Sequence, residues 1–202
     1  DYDQDHFGGL LATDMLACLA KVGKLTQVLD VCCGLGGPAR YLAHHYGCVV
    51  TGIDLNQIRV DSAIRLTKMV GLEEKVSFRC ANALSSGLPS AKFDSLIAQE
   101  AFCHVPNKPG LLAECVRVLK PGGLIAFTDI LENVRMTASA KERLCKEMAF
   151  TELNTLNTYR VLLEVSGCEV KEVKDLSEEW ARILVKRLAM YRSLKDQTVA
   201  RF

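Results

Sequence analysis

An apolar run that passes through a glycine cluster straight into a helical pattern restricts this chain more than any other feature. Val28-Leu29-Asp30-Val31-Cys32-Cys33-Gly34-Leu35-Gly36-Gly37 leads directly into Pro38-Ala39-Arg40-Tyr41-Leu42-Ala43. A strand feeding a helix so abruptly is the first half of a strand–helix–strand unit, whose next strand returns parallel to the first. The remainder of the chain keeps that alternation. Strands are expected at about 26–32, 48–54, 75–80, 93–99 and 123–130, with another near 168–175. Helices are expected at about 9–22, 37–46, 57–70, 108–118, 139–149, 154–166 and 178–195. Lys120-Pro121-Gly122-Gly123 reads as a helix stop and a turn into the fifth strand. The fold expected is α/β, a doubly wound and mainly parallel sheet with helices on both faces.

Composition narrows the partners. The 202 residues are 49% apolar, enough to bury one core without metals or crosslinks, and neither a repeat nor a low-complexity linker marks a second domain. With 25 basic and 24 acidic residues the formal charge is +1, so nothing draws the chain generally to nucleic acid or to an anionic membrane. A small neutral or zwitterionic partner, and a monomer or homodimer, are expected instead. The nine cysteines are odd in number and form no CxxC pair, which points to reduced thiols in the cytoplasm, with no metal site and no disulfide framework. No apolar run approaches the roughly 18 residues of a membrane span, and no targeting leader is visible. The missing first methionine is expected of a trimmed chain.

The glycine cluster carries the chemistry. Glycines there allow a sharp turn and let a ligand lie against main-chain N–H groups at a helix N-terminus. Asp54 closes Val49-Val50-Thr51-Gly52-Ile53-Asp54, twenty residues after Gly34, where a carboxylate can accept from ribose hydroxyls. Loop and acid together define a nucleoside site. A glycine turn needed only for the backbone competes with this reading, as does a nicotinamide-dependent oxidoreductase, which prefers GxGxxG to the spacing Gly34, Gly36, Gly37.

At these residues, and over essentially the whole chain, the sequence resembles the class I S-adenosylmethionine (SAM)-dependent methyltransferases, whose fold is Rossmann-like. Phe93 to Val105, and Leu111-Leu112-Ala113-Glu114-Cys115-Val116-Arg117-Val118-Leu119-Lys120-Pro121-Gly122-Gly123, look like that family's fourth strand with its following loop and like its helix and turn into the fifth strand. Asp3-Gln4-Asp5-His6-Phe7-Gly8-Gly9-Leu10-Leu11-Ala12-Thr13-Asp14, Gln99-Glu100-Ala101-Phe102-Cys103-His104 and Tyr159-Arg160 resemble the sarcosine/dimethylglycine N-methyltransferases and their small-molecule relatives. Two departures stand out: Cys32 replaces the first glycine of the motif, narrowing the space beside the methionine part of SAM. Asn82 replaces an acid that commonly meets the adenine amino group, though it keeps an oxygen acceptor. The resemblance implies a cofactor site of Asp30, Cys32, Gly34, Gly36, Asp54, Leu55, Asn82, Ala83, Gln99 and Glu100, with S-adenosylhomocysteine as product. It implies one domain over 1–202: an N-terminal lid and helix at 1–22, a cofactor core at 24–135, and substrate-side helices at 136–202. The family's closing antiparallel strand is expected to be missing from this chain.

The activity implied is methyl transfer to a small acceptor, an amine nitrogen in the resembled subfamily. An oxygen or carbon acceptor and a catalytically impaired SAM-binding protein stand as alternatives. In-line displacement needs positioning more than a protein nucleophile, but an amine must first lose a proton. His104, just past the fourth strand, is the candidate base, against an ordinary loop histidine. Asp129 is placed to hold a cationic amine or to cap the next segment. Arg160 beside Tyr159 offers a fork to an acceptor carboxylate, or is simply solvated. His6 and Phe7 are expected in a lid that excludes water, and Gln99 and Glu100 at the methionine end of SAM, Glu100 on its amino group. The vicinal Cys32-Cys33 is read as packing rather than redox chemistry, and the basic helix from Trp180 through Arg192 as core-facing rather than membrane-binding.

Overall fold

The structure, a computed structural model, describes residues 6–133 and 135–199. The Asp3-Gln4-Asp5 part of the N-terminal marker and the end of the chain from Ala200 lie outside the described residues. The chain divides into two compact units, Asp1–Val170 and Lys171–Phe202. The first carries the sheet, with β1 (Gln27–Val31), β2 (Val49–Asp54), β3 (Val76–Cys80), β4 (Phe93–Gln99) and β5 (Leu119–Thr128). Its helices are α1 (Gly9–Leu19), α2 (Gly37–Tyr46), α3 (Gln57–Met69), α4 (Lys108–Val118), α5 (Ala138–Met148) and α6 (Leu156–Val165). The second unit holds α7 (Ser177–Val199). No helix among the described residues is long and apolar enough to cross a membrane.

The strands lie in the order β3-β2-β1-β4-β5, every pair parallel. The order reverses between β1 and β4, so a crevice opens at the carboxyl ends of those two strands. Strand residues alternate between faces, as the period of two requires. Val28, Val50, Val76, Phe78 and Ile97 pack with Leu16 and Ala17 of α1, Ala39 and Leu42 of α2, and Val60 and Ala63 of α3. Leu29, Val31, Ile53, Leu96 and Ala98 pack on the opposite face with Leu111, Leu112 and Cys115 of α4 and Tyr159 of α6. Helices therefore cover both faces of a doubly wound sheet, as expected.

Two expectations are corrected. The Lys120-Pro121-Gly122-Gly123 turn does not precede the fifth strand: Leu119 already pairs with Phe93, and the register then jumps so that Leu124 pairs with Ser95. The four residues form a bulge, with Gly122 at φ 76°. The strand expected near 168–175 does not form, and the segment carries no regular structure. The apolar Val170 and Val173 are three apart, so they do not share a strand face, and charged residues occupy most other positions.

Candidate functional site

The glycine loop forms as the sequence predicts and is pinned from two sides. Gly34 and Gly36 have φ 54° and 74°, values that strain any residue with a Cβ. The Cys33 N–H donates to the Ile53 carbonyl at 2.9 Å, tying the loop to β2. The Asp54 carboxylate accepts from Gly34 N–H and from Asn56 N–H, each at 2.9 Å. It thus faces the crevice and spans from the loop to the start of α3. Gly36 and Gly52 share a neighbour the sequence did not reveal: the Phe78 ring of β3 occupies the space beside both, 2.3 Å and 2.5 Å from where their Cβ atoms would stand.

Cys32 has φ 59°, which is why a glycine is the ordinary occupant of such a position. Its thiol is pushed up to about 12, first by burial and then by the charges of Asp54, Asp30 and Asp129. Acids from the ends of three strands therefore converge on this one side chain. Asp30 is 3% exposed, and its Oδ2 has no hydrogen-bond partner. Burial, then repulsion from Asp54, raise its carboxyl to about 7, although the Arg40 guanidinium of α2 opposes them. The carboxylates of Asp54 and Asp129 beside the loop suit a cation.

The raised Asp30 value carries a stability consequence. The folded protein binds a proton that the unfolded chain releases between pH 3.8 and about 7, so stability falls as pH rises through that window and stays lower above it. A shift of that size corresponds to about 4 kcal/mol, against which an Asn amide at the same place would leave its own unmet groups, costing about 1–3 kcal/mol. Asp30→Asn is expected to stabilise the protein by about 1–2 kcal/mol at pH 8 and to flatten the pH dependence. Urea unfolding at pH 5 and pH 8 checks this; an unchanged slope rejects it.

Around the ends of β4 and β5 the structure joins most of the remaining candidates. Glu100, at φ 44°, accepts from Phe7 N–H at 2.7 Å and from the Thr128 hydroxyl at 2.6 Å. Its carboxylate holds the N-terminal segment against the sheet. His6 is buried, with Nδ1 3.0 Å from Gln99 Nε2, while Gln99 Oε1 accepts from the Thr13 hydroxyl. Asp129 accepts from Cys103 N–H at 3.0 Å and from the buried Tyr159 hydroxyl at 2.5 Å. That hydroxyl is pushed well above the usual phenol range by burial and by Asp129.

His104 sits on a single 3-10 turn, Phe102–His104, with its ring 5.1 Å from that of Phe150 and its Nδ1 3.1 Å from the Ala149 carbonyl. A carbonyl only accepts, so Nδ1 carries the proton and a neutral ring presents the lone pair on Nε2. Ala81 N–H donates to the Asp54 carbonyl, bringing Asn82 and Ala83 to the same edge. Asn82 Oδ1 already accepts from Leu84 N–H, leaving one lone pair for a ligand. Leu55 is 72% exposed at the lip, an apolar surface for a base to cover. Arg160 is exposed, one helical step from the inward Tyr159, and the structure does not bring it to the cluster. Residues not foreseen are Thr13 and Thr128, buried hydroxyls that orient Gln99 and Glu100; only the tertiary pairing marks them.

A parallel sheet with a glycine turn, a lip carboxylate and acids at the ends of three strands around its switch point has the architecture of a nucleoside-binding α/β domain. Residues 29–127 match the methyltransferase domain family. The chain belongs to the class I SAM-dependent methyltransferases. It is 34% identical over 158 residues to the methyltransferase GfsG of Streptomyces halstedii, covering 76% of this chain and 56% of that one. It is 28% identical over 195 residues to a phosphoethanolamine N-methyltransferase of Triticum aestivum, covering 96% and 38%. Among solved structures, a protein of Galdieria sulphuraria assigned as a sarcosine dimethylglycine methyltransferase superposes with TM-score 0.73 at 25% identity, covering 78% and 61%. Sterol 24-C-methyltransferases of Eremothecium gossypii and Kluyveromyces lactis also match. The chain spans from under a third to just over half the length of the curated relatives it matches.

The family's methyl donor, SAM, fits the residues present. Its ribose suits Asp54, its sulfonium and ammonium charges suit the acids around Cys32, and the buried Asp30 Oδ2 is an oxygen without a hydrogen-bond partner there.

Proposed function

We propose that this protein transfers a methyl group from SAM to an amine nitrogen of a small-molecule acceptor. The observation that carries the reading is the convergence of Asp30, Asp54 and Asp129 on Cys32 beside the glycine loop, a setting for a sulfonium cation. When bound, SAM supplies an electrophilic methyl carbon whose departing sulfur leaves as a neutral thioether.

The chain's own residues do the rest. Asp54 and the Gly34 turn hold the nucleoside, while Gln99 and Glu100 pin His6 and Phe7 across the strand ends and keep water from the methyl carbon. Asp129, oriented by Tyr159 and Cys103, draws the cationic amine toward the methyl group. His104 Nε2 takes the ammonium proton, freeing the nitrogen lone pair for in-line attack, and passes that proton to water. Fixing both reactants supplies on the order of 7–11 kcal/mol.

A SAM-binding protein with impaired catalysis is the second reading, favoured by the Cys32 side chain at a position built for glycine. Labelled SAM incubated with glycine, sarcosine, dimethylglycine, phosphoethanolamine, a sterol and a phenol separates the readings. Label on an amine that falls sharply in His104→Asn is the expected result. Label on carbon or oxygen overturns the amine assignment, and SAM binding without transfer favours the binder.

A further inference from the structure

We propose that Lys108 is a positioning residue, whose buried ammonium anchors the turn that carries His104 and so sets the direction of the imidazole. The inference rests on the proposed role of His104 as proton acceptor.

Lys108 opens α4 and is 1% exposed, among the largest fully buried side chains of the protein. Its Nζ donates to the carbonyl of Val105, the residue directly after His104, at 2.7 Å. Removing an ammonium from water costs several kcal/mol, and one carbonyl does not repay that. A methionine would fill the same space at lower cost, so packing does not account for a lysine here. What the charge does is grip one end of a very short turn.

The other end is gripped independently. Cys103 N–H donates to Asp129, and the Cys103 carbonyl accepts from Thr151 N–H at 2.9 Å and from the Thr151 hydroxyl at 3.2 Å. Within the turn, His104 N–H donates to the Ala101 carbonyl and Val105 N–H to that of Phe102. His104 therefore lies between a clamp at Cys103 and a clamp at Val105, and the second clamp is Lys108. The charges of Lys108 and Asp129 both reach the Cys103 thiol, with opposite effects, so the cation and the acid flank the same turn. With both clamps closed, the ring donates from Nδ1 to Ala149 O and presents Nε2. With the Val105 clamp open, the buried carbonyl loses its donor, the turn rotates to find another, and the bond to Ala149 breaks.

The test reads the imidazole directly. Long-range proton–nitrogen spectra of the full nitrogen-labelled chain, at about pH 8.5 where a histidine is neutral, distinguish the two tautomers; His104→Asn assigns the signal. The wild type is expected to show the Nδ1–H form. Lys108→Met is expected to lose most of it to the Nε2–H form that an unrestrained ring favours, whereas Lys108→Arg, which still donates to Val105, keeps it. With an acceptor from the panel above, Lys108→Met should lower kcat on the order of a hundredfold and leave KM for SAM unchanged. A wild-type ring in the Nε2–H form overturns the proposal, and so does a folded Lys108→Met that keeps the wild-type tautomer. Should Lys108→Met fail to fold, Lys108→Gln, too short to reach Val105, is read in the same way. Because the spectrum needs no acceptor, failure of Lys108 to hold the ring is separable from failure of His104 as a base, which would show as undiminished transfer by His104→Asn.

Discussion

Asp54→Ala binds SAM about 10- to 100-fold more weakly than the wild type in calorimetric titration, since charge-assisted hydrogen bonds to a carboxylate contribute on the order of 1.5–3 kcal/mol. The loss has two sources. Direct contacts to the ribose disappear, and so does the acceptor that holds Gly34 N–H at 2.9 Å and thereby shapes the loop. Fold stability falls as well, by about 1 kcal/mol, because two backbone N–H groups lose their partner. Asp54→Asn separates the sources: the amide oxygen still accepts from one N–H group, so stability recovers further than affinity. Unaltered affinity in Asp54→Ala refutes the ribose role and, with it, the nucleoside reading of the crevice.

Gly36→Ala is expected to destabilise the first unit strongly. At φ 74° the new Cβ strains the backbone by about 1–2 kcal/mol. It would also stand 2.3 Å from Phe78 Cζ, an overlap that costs a further 1–3 kcal/mol or so to relieve. Urea denaturation should show a loss of about 2–5 kcal/mol, enough to unfold a marginal domain. The partner test is Phe78→Leu: the double variant should recover the steric part and leave the backbone strain. Additive losses would mean that the ring is not the obstacle.

The glycine loop, the lip carboxylate and the alternation of strands and helices were all legible in the sequence, because each is local. Gly34, Gly36 and Asp54 signal themselves by spacing along one strand–loop–helix–strand unit, and the predicted strands from 26 to 99 end within about one residue of the observed ones. Legibility stopped where neighbours in space are distant in sequence. Phe78 fills the gap left by two glycines on other elements. The Glu100 carboxylate accepts from Phe7 N–H, 93 residues away, a pairing that no local pattern announces. Consecutive helix residues point about 100° apart, so α6 buries Tyr159 and leaves Arg160 exposed. The strand expected at 168–175 had β-branched residues but no consistent face.

The sequence by itself determined that strands and helices alternate into a parallel sheet and where the loop at its first turn falls, since these follow from hydrophobic period and from the conformations that glycine permits. Only the tertiary structure decided which acids meet. Asp30, Asp54 and Asp129 lie far apart along the chain, and parallel pairing delivers their charges to one cysteine because β2, β1, β4 and β5 end along one edge. The tertiary structure also decided that a lysine at the mouth of α4 would be buried against the turn of His104. Local propensity says where a helix begins, but the electrostatic work of a side chain depends on what the rest of the fold places against it.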